Sequence, residues 1–240
     1  MSRRTLKMTL YVGTSGYSYK EWKGSFYPEK LAAKDMLSYY ATRLPAVELN
    51  NTFYRMPQTS MVESWKTQVP DNFRFSVKAS QRITHFKRLK EAGDETKYML
   101  QTVSALEDRL GVVLFQLPPN MKKDLERLEA FLNELPGNAP AAFEFRHPTW
   151  FDDEVLNLLR RHNRALVVSD TDDLPATRID KTADWGYMRL RRVSYSDDDL
   201  AQWLERMRGQ DWKTTFVFFK HEDEGTGPKL AAKFLGLAGQ

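Results

Sequence analysis

Short β-rich runs recur along this chain at nearly even intervals, and helical patterns fill most of the gaps. The runs cover residues 10–14, 46–49, 73–78, 112–116, 142–146, 165–170, 187–191 and 215–220. Several are almost continuously apolar, as expected of strands buried on both faces of a parallel sheet. Between them, Leu37, Tyr40 and Leu44 share one helical face, Leu125, Leu128, Leu132 and Leu135 a second, and Leu200, Leu204 and Met207 a third. Such stripes are explained by packing on a sheet. Ser60-Met61-Val62-Glu63 has the form of a capping box. Ser196 followed by Asp197-Asp198-Asp199 suits a helix N-terminus, and Pro45, Pro70 and Pro136 punctuate helix ends. Strands and helices alternating at an average spacing of roughly 30 residues predict a single (β/α)8 TIM-like barrel, an α/β fold, over residues 1–240. An open doubly wound sheet is the rival arrangement.

Composition narrows the class. With 240 residues, 41% hydrophobic and 28% charged, the chain is long and apolar enough for a real core. No apolar run approaches the roughly 18 residues of a membrane span. The basic start, Met1 to Lys7, has no apolar stretch behind it and does not read as a secretory signal. Cysteine is absent, which removes disulfides, thiolate metal sites and thiol nucleophiles, and fits a cytoplasmic location. The formal charge of +4 permits an anionic partner without demanding one.

In a barrel of this type, chemistry belongs at the C-terminal ends of the strands. Those ends are polar here: Glu48, Asn50 and Asn51; Ser76 and Lys78; Gln116; Glu144, Arg146 and His147; Asp170; Arg189 and Arg191; Lys220 and His221. Residues i and i+2 of a strand share a face. Phe143 and Phe145 suit the helix-facing side, which turns Glu144 and Arg146 toward the barrel axis. Unpaired charges there are costly, so these groups must pair with each other or meet a ligand. Lys78, Arg146, Arg189, Arg191 and Lys220 against Glu48, Glu144 and Asp170 leave this end net basic. The competing explanation is a closed ion-pair network that only holds strands in register.

The first loop, residues 13–28, is long and aromatic. Tyr17, Trp22 and Tyr27 could stack on a sugar or base at the mouth, as could Trp150, or the loop could be a self-packed Ω-loop. It contains neither a dinucleotide fingerprint nor a P-loop.

Together these segments resemble the YecE-like family, whose function is unknown. The matching stretches are Val12-Gly13-Thr14-Ser15-Gly16-Tyr17 with Trp22 and Tyr27-Pro28, Glu48-Leu49-Asn50-Asn51-Thr52-Phe53-Tyr54, Phe75-Ser76-Val77-Lys78 and Ile83-Thr84-His85. Leu114-Phe115-Gln116-Leu117-Pro118-Pro119 and Phe143-Glu144-Phe145-Arg146-His147-Pro148 with Trp150 follow in order. The resemblance implies a TIM barrel and no activity. In that family strand seven usually ends Arg-x-His-Gly and strand eight Asn-Asn, where this chain has Arg189-Leu190-Arg191-Arg192 and Lys220-His221.

Three functions fit these residues. The first is an enzyme acting on a small anionic ligand, such as a phosphorylated sugar or a nucleotide. Glu48 and Glu144 would then be the acid/base pair. Lys78, Arg146 and Arg189 would hold negative charge, and Asn50, Asn51 and Gln116 would orient hydroxyls. The second is a hydrolase or isomerase using a divalent metal on Glu48, Glu144, Asp170, His147 and His221. No HxH or HExxH spacing supports it, and nearby Lys and Arg would repel a cation. The third is a nucleic-acid-binding or processing protein, suggested by Lys20-Glu21-Trp22-Lys23 and His85-Phe86-Lys87-Arg88 but lacking any recognised motif. Serine catalysis is weak, because Ser15 and Ser18 lack a GxSxG context.

Overall fold

The computed structural model describes residues 8–174, 176, 179–220 and 225–239. Eight strands, β1 (Thr9–Ser15), β2 (Ala46–Leu49), β3 (Arg74–Lys78), β4 (Leu110–Gln116), β5 (Ala141–Glu144), β6 (Ala165–Asp170), β7 (Trp185–Leu190) and β8 (Thr214–Phe219), lie parallel in sequence order. β8 pairs back onto β1 and closes the sheet, so the barrel is correct and the open sheet is not. The helices α1 (Met36–Ala41), α2 (Thr59–Thr67), α3 (Gly93–Val103), α4 (Leu125–Glu134), α5 (Asp153–Arg161), α6 (Asp197–Arg208) and α7 (Thr226–Ala238) follow the strands. Among the described residues no α-helix separates β6 from β7.

Apolar strand residues divide between two cores. One faces the helices. The other fills the barrel and includes Ala46, Val112, Leu114, Ala142, Val167 and Phe218. Continuing each strand by two residues from these interior positions brings Glu48, Gln116, Glu144 and Ser169 into the uppermost interior layer. Close approach of β1 and β2 requires Gly13, where a Cβ would stand 1.8 Å from the Ala46 carbonyl oxygen. That oxygen accepts a 2.8 Å hydrogen bond from Tyr40 Oη.

Two local expectations meet different fates. Ser196 and Asp199 form a full capping box on α6, with its acidic first turn at the positive end of the helix dipole. Ser60 caps nothing. Its helix starts one residue earlier, at Thr59, behind an extended Gln58 that follows Pro57. Strand ends also shift: β5 stops at Glu144 and β8 at Phe219, which leaves Arg146 and Lys220 exposed beyond the ladders.

Candidate functional site

The upper interior layer is built around Arg189. This fully buried guanidinium donates from Nη2 to Glu48 Oε1 at 2.8 Å and from Nη1 to Glu144 Oε2 at 2.5 Å. Glu48 has further donors: Ser15 Oγ at 2.7 Å, Asn50 Nδ2 at 3.0 Å and Tyr187 Oη at 2.6 Å. Tyr187 Oη also meets Ser76 Oγ at 2.6 Å. Glu144 Oε1 accepts from Arg191 Nη2 at 3.1 Å, and the same nitrogen reaches Ser169 Oγ at 2.6 Å.

Burial alone would raise the pKa of both carboxyls. For Glu144, the Arg189 and Arg191 charges and a Gln116 hydrogen bond outweigh it and hold the value down to about 2. For Glu48, burial is outweighed by Arg189, Tyr187 and Ser15, again lowering the value. Both groups are therefore carboxylates near neutral pH, with their oxygens committed to protein donors.

Lys78 lies above this layer. Its Nζ donates to Gln116 Oε1 at 2.8 Å and sits 4.2 Å from the centroid of the Phe53 ring. Among the described residues no carboxylate pairs with it. Burial, then the Arg189 charge, depress its pKa to about 8 against the opposing pull of Glu48 and Glu144. The Arg146 charge acts on Lys78, on Arg191 and on His85, so Arg146 stands within electrostatic reach of all three. Arg146 is exposed, and among the described residues no carboxylate pairs with it. His85 is carried on a π-helical turn, Arg82–Phe86, with Nδ1 2.9 Å from Thr84 Oγ1 and its ring against Phe53. Burial and the Lys78 and Arg146 charges lower its pKa.

Beside Arg146 and Arg191 opens a cavity of about 530 Å³. β5 and β6 pair only at Ala142–Ala165 and Phe143–Leu166, and the space begins where they part. Arg146 and Arg191, the carboxylates Glu144, Asp173 and Asp180, and the hydroxyls of Ser169 and Thr171 supply its polar wall, and Phe145, Phe151, Leu166 and Leu174 are among its apolar lining.

Several expected site residues are elsewhere. Asp170 alternates out of the interior, because Val167 and Ser169 occupy the inward face of β6. Its carboxylate is taken by Arg192 Nε at 2.7 Å, Tyr195 Oη at 2.9 Å and the Ala176 amide at 2.9 Å, so it braces the loops after β6 and β7. Trp22 is fully buried among Tyr19, Phe26 and Tyr27, which makes that part of the first loop self-packed. Trp150 is buried too. It stacks on Phe145 at 4.6 Å and donates from Nε1 to the Met121 carbonyl at 2.7 Å. Tyr17 lines a separate groove of about 430 Å³ with Leu37, Met61 and Trp65. His147 caps the short 3-10 turn at Pro148–Trp150. Asn51 and Lys220 are exposed rim residues. His221 lies outside the described residues.

Sequence reasoning missed the network roles of Ser15, Ser169 and Tyr187, and those of Phe53 and His85 beside Lys78. For Ser15, Ser169 and Tyr187 the available signal was a polar side chain at an inward strand position. Among the described residues no three His, Asp or Glu side chains gather as a metal group, and the Glu48 and Glu144 oxygens are already held by guanidinium and hydroxyl donors. In the basic-aromatic stretch after His85, Lys87 is paired with Glu95 at 2.9 Å. No helix of the described residues is long and apolar enough to cross a membrane.

The family described as "Protein of unknown function DUF72" matches residues 11–240. The chain belongs to the DUF72 family. Among DUF72 relatives, the UPF0759 protein YunF of Bacillus subtilis is 23% identical over 227 residues, covering 90% of this chain and 79% of the relative. The UPF0759 protein YecE of Escherichia coli is 30% identical over 175 residues, covering 70% of this chain and 62% of that protein. A solved DUF72 structure from Thermotoga maritima superposes with a TM-score of 0.84 at 30% identity, covering 97% of this chain and 100% of the other. In this DUF72 chain, Arg191 supplies the second guanidinium on Glu144.

Proposed function

We propose that this DUF72 chain is an enzyme that binds a small anionic ligand at the barrel mouth, where Lys78 is the group that gains and loses a proton. The observation that carries this reading is the cation cluster of Lys78, Arg146 and Arg191 over a closed layer. Arg191 shares Glu144 with Arg189, and neither Lys78 nor Arg146 has a carboxylate partner among the described residues. A phosphate or carboxylate supplies the missing counter-charge through charge-assisted hydrogen bonds. The adjoining cavity has the size of small-molecule sites and offers Phe145 and Phe151 to the body of the ligand.

This reading moves proton transfer from the glutamates to the lysine. An acid catalyst needs a proton near neutral pH, and Glu144, ionised down to about 2, has none to give. Glu48 and Glu144 are positioning residues that hold Arg189 and Arg191 in place. With a pKa of about 8, about one Lys78 in ten is neutral at pH 7, so the amine serves as donor and acceptor.

The test is calorimetric titration with inorganic phosphate and glucose 6-phosphate at low ionic strength, on the parent protein and on Arg146→Ala. The parent binds at least one of the two, and the exposed Arg146→Ala variant binds about tenfold more weakly at an unchanged melting temperature. Absence of binding by the parent, or equal binding by both proteins, overturns the reading.

A further inference from the structure

We infer that Lys78 is a covalent nucleophile and that the mouth takes a small aldehyde or ketone carrying an anionic group; this rests on the anion-binding reading above. Three features of its surroundings carry the inference. The first is what touches the nitrogen: one amide oxygen at 2.8 Å and one aromatic face at 4.2 Å. Neither carries a full negative charge, and Glu48 and Glu144 are already occupied by arginine. An ammonium held this way beside Arg189 and Arg146 loses its proton readily, as in other amine nucleophiles placed next to cations.

The second is orientation. Gln116 presents its side-chain Oε1, an acceptor, to the Lys78 nitrogen. That acceptor keeps one N–H of the neutral amine and leaves the lone pair free to point elsewhere. The third is the position of Arg146 within electrostatic reach of Lys78. An anionic group drawn to Arg146 brings an attached carbonyl carbon toward the amine.

The step balances within these groups and solvent. The neutral Lys78 nitrogen attacks the carbonyl carbon. A C–N bond forms, the carbonyl π pair moves to oxygen, and a nitrogen proton passes to that oxygen to give the carbinolamine. The nitrogen lone pair then expels the oxygen, which leaves as water after taking one proton from solvent. The protonated imine carries one positive charge, the same as the ammonium it replaces, so the charge balance over Arg189, Arg191, Glu48 and Glu144 is preserved.

The test is reductive trapping. The full chain is incubated separately with glyoxylate, pyruvate and dihydroxyacetone phosphate, reduced with sodium borohydride, and mapped by peptide mass spectrometry. Hydride addition to the imine carbon yields a stable secondary amine whose mass gain is that of the oxo compound less one oxygen atom. The expected result is a single dominant adduct at Lys78 with at least one probe. Its rate rises with pH around a midpoint near 8, falls when inorganic phosphate competes, and disappears in a folded Lys78→Arg variant. Labelling no faster at Lys78 than at surface lysines overturns the nucleophile. If phosphate still binds by calorimetry in that case, the anion site survives; if phosphate binding is also absent, both readings fail.

Discussion

Arg189 and Glu48 lie on strands that do not pair, β7 and β2, yet their side chains meet at 2.8 Å inside the barrel. Arg189 also holds Glu144, so one guanidinium bridges two buried carboxylates while Arg191 supplies the second positive charge on Glu144. Removing it leaves both without their principal cation. Arg189→Met is expected to lower the unfolding free energy by about 3–5 kcal/mol, measured by urea denaturation. Adding Glu48→Gln to that variant removes one orphaned charge and restores part of the loss. A loss under about 1 kcal/mol in the single variant contradicts the network as described.

Acid sensitivity follows from Glu144. Its pKa is depressed in the folded protein from an ordinary 4.5 to about 2. A depressed carboxyl contributes stability that is complete above the unfolded value and is lost as pH falls through the folded one. Urea midpoints taken from about pH 5 down to about pH 2.5 are therefore expected to fall more steeply for the parent than for Glu144→Gln. Parallel slopes contradict the assignment.

Asp170 separates scaffold from mouth. Its carboxylate accepts from Arg192, Tyr195 and the Ala176 amide, away from the cation cluster. Asp170→Ala is expected to cost about 1–3 kcal/mol by leaving these donors unsatisfied. Phosphate affinity, read by calorimetry, stays within about twofold of the parent, in contrast to Arg146→Ala. A tenfold loss of phosphate affinity in Asp170→Ala places it back in the site.

The barrel was legible because its strands are short apolar runs at regular spacing, and the ends of β2 and β6 fall where those runs end. Period-two alternation also placed Glu144 inward, because Phe143 and Phe145 mark the opposite face. The same rule fails to orient β6 by eye. Ala165, Leu166, Val167 and Val168 are apolar on both faces, so nothing in the run distinguishes Ser169 from Asp170 as the inward residue. Trp22 and Trp150 were ambiguous for a different reason: an aromatic ring in a loop reads alike whether it meets a ligand or packs under the loop. The state of Lys78 was illegible because it depends on Gln116 and Phe53, not a carboxylate, meeting its nitrogen. That is a property of the tertiary arrangement.

The most direct measurement is the titration of Lys78 itself, followed by NMR of the side-chain Cε resonance in labelled protein and assigned with Lys78→Arg. Without added anion the resonance is expected to titrate with a midpoint near 8. In saturating inorganic phosphate the midpoint moves up, because a bound anion favours the ammonium. A midpoint near the ordinary 10.5 that phosphate leaves unmoved contradicts both the depressed amine and the anion site beside it.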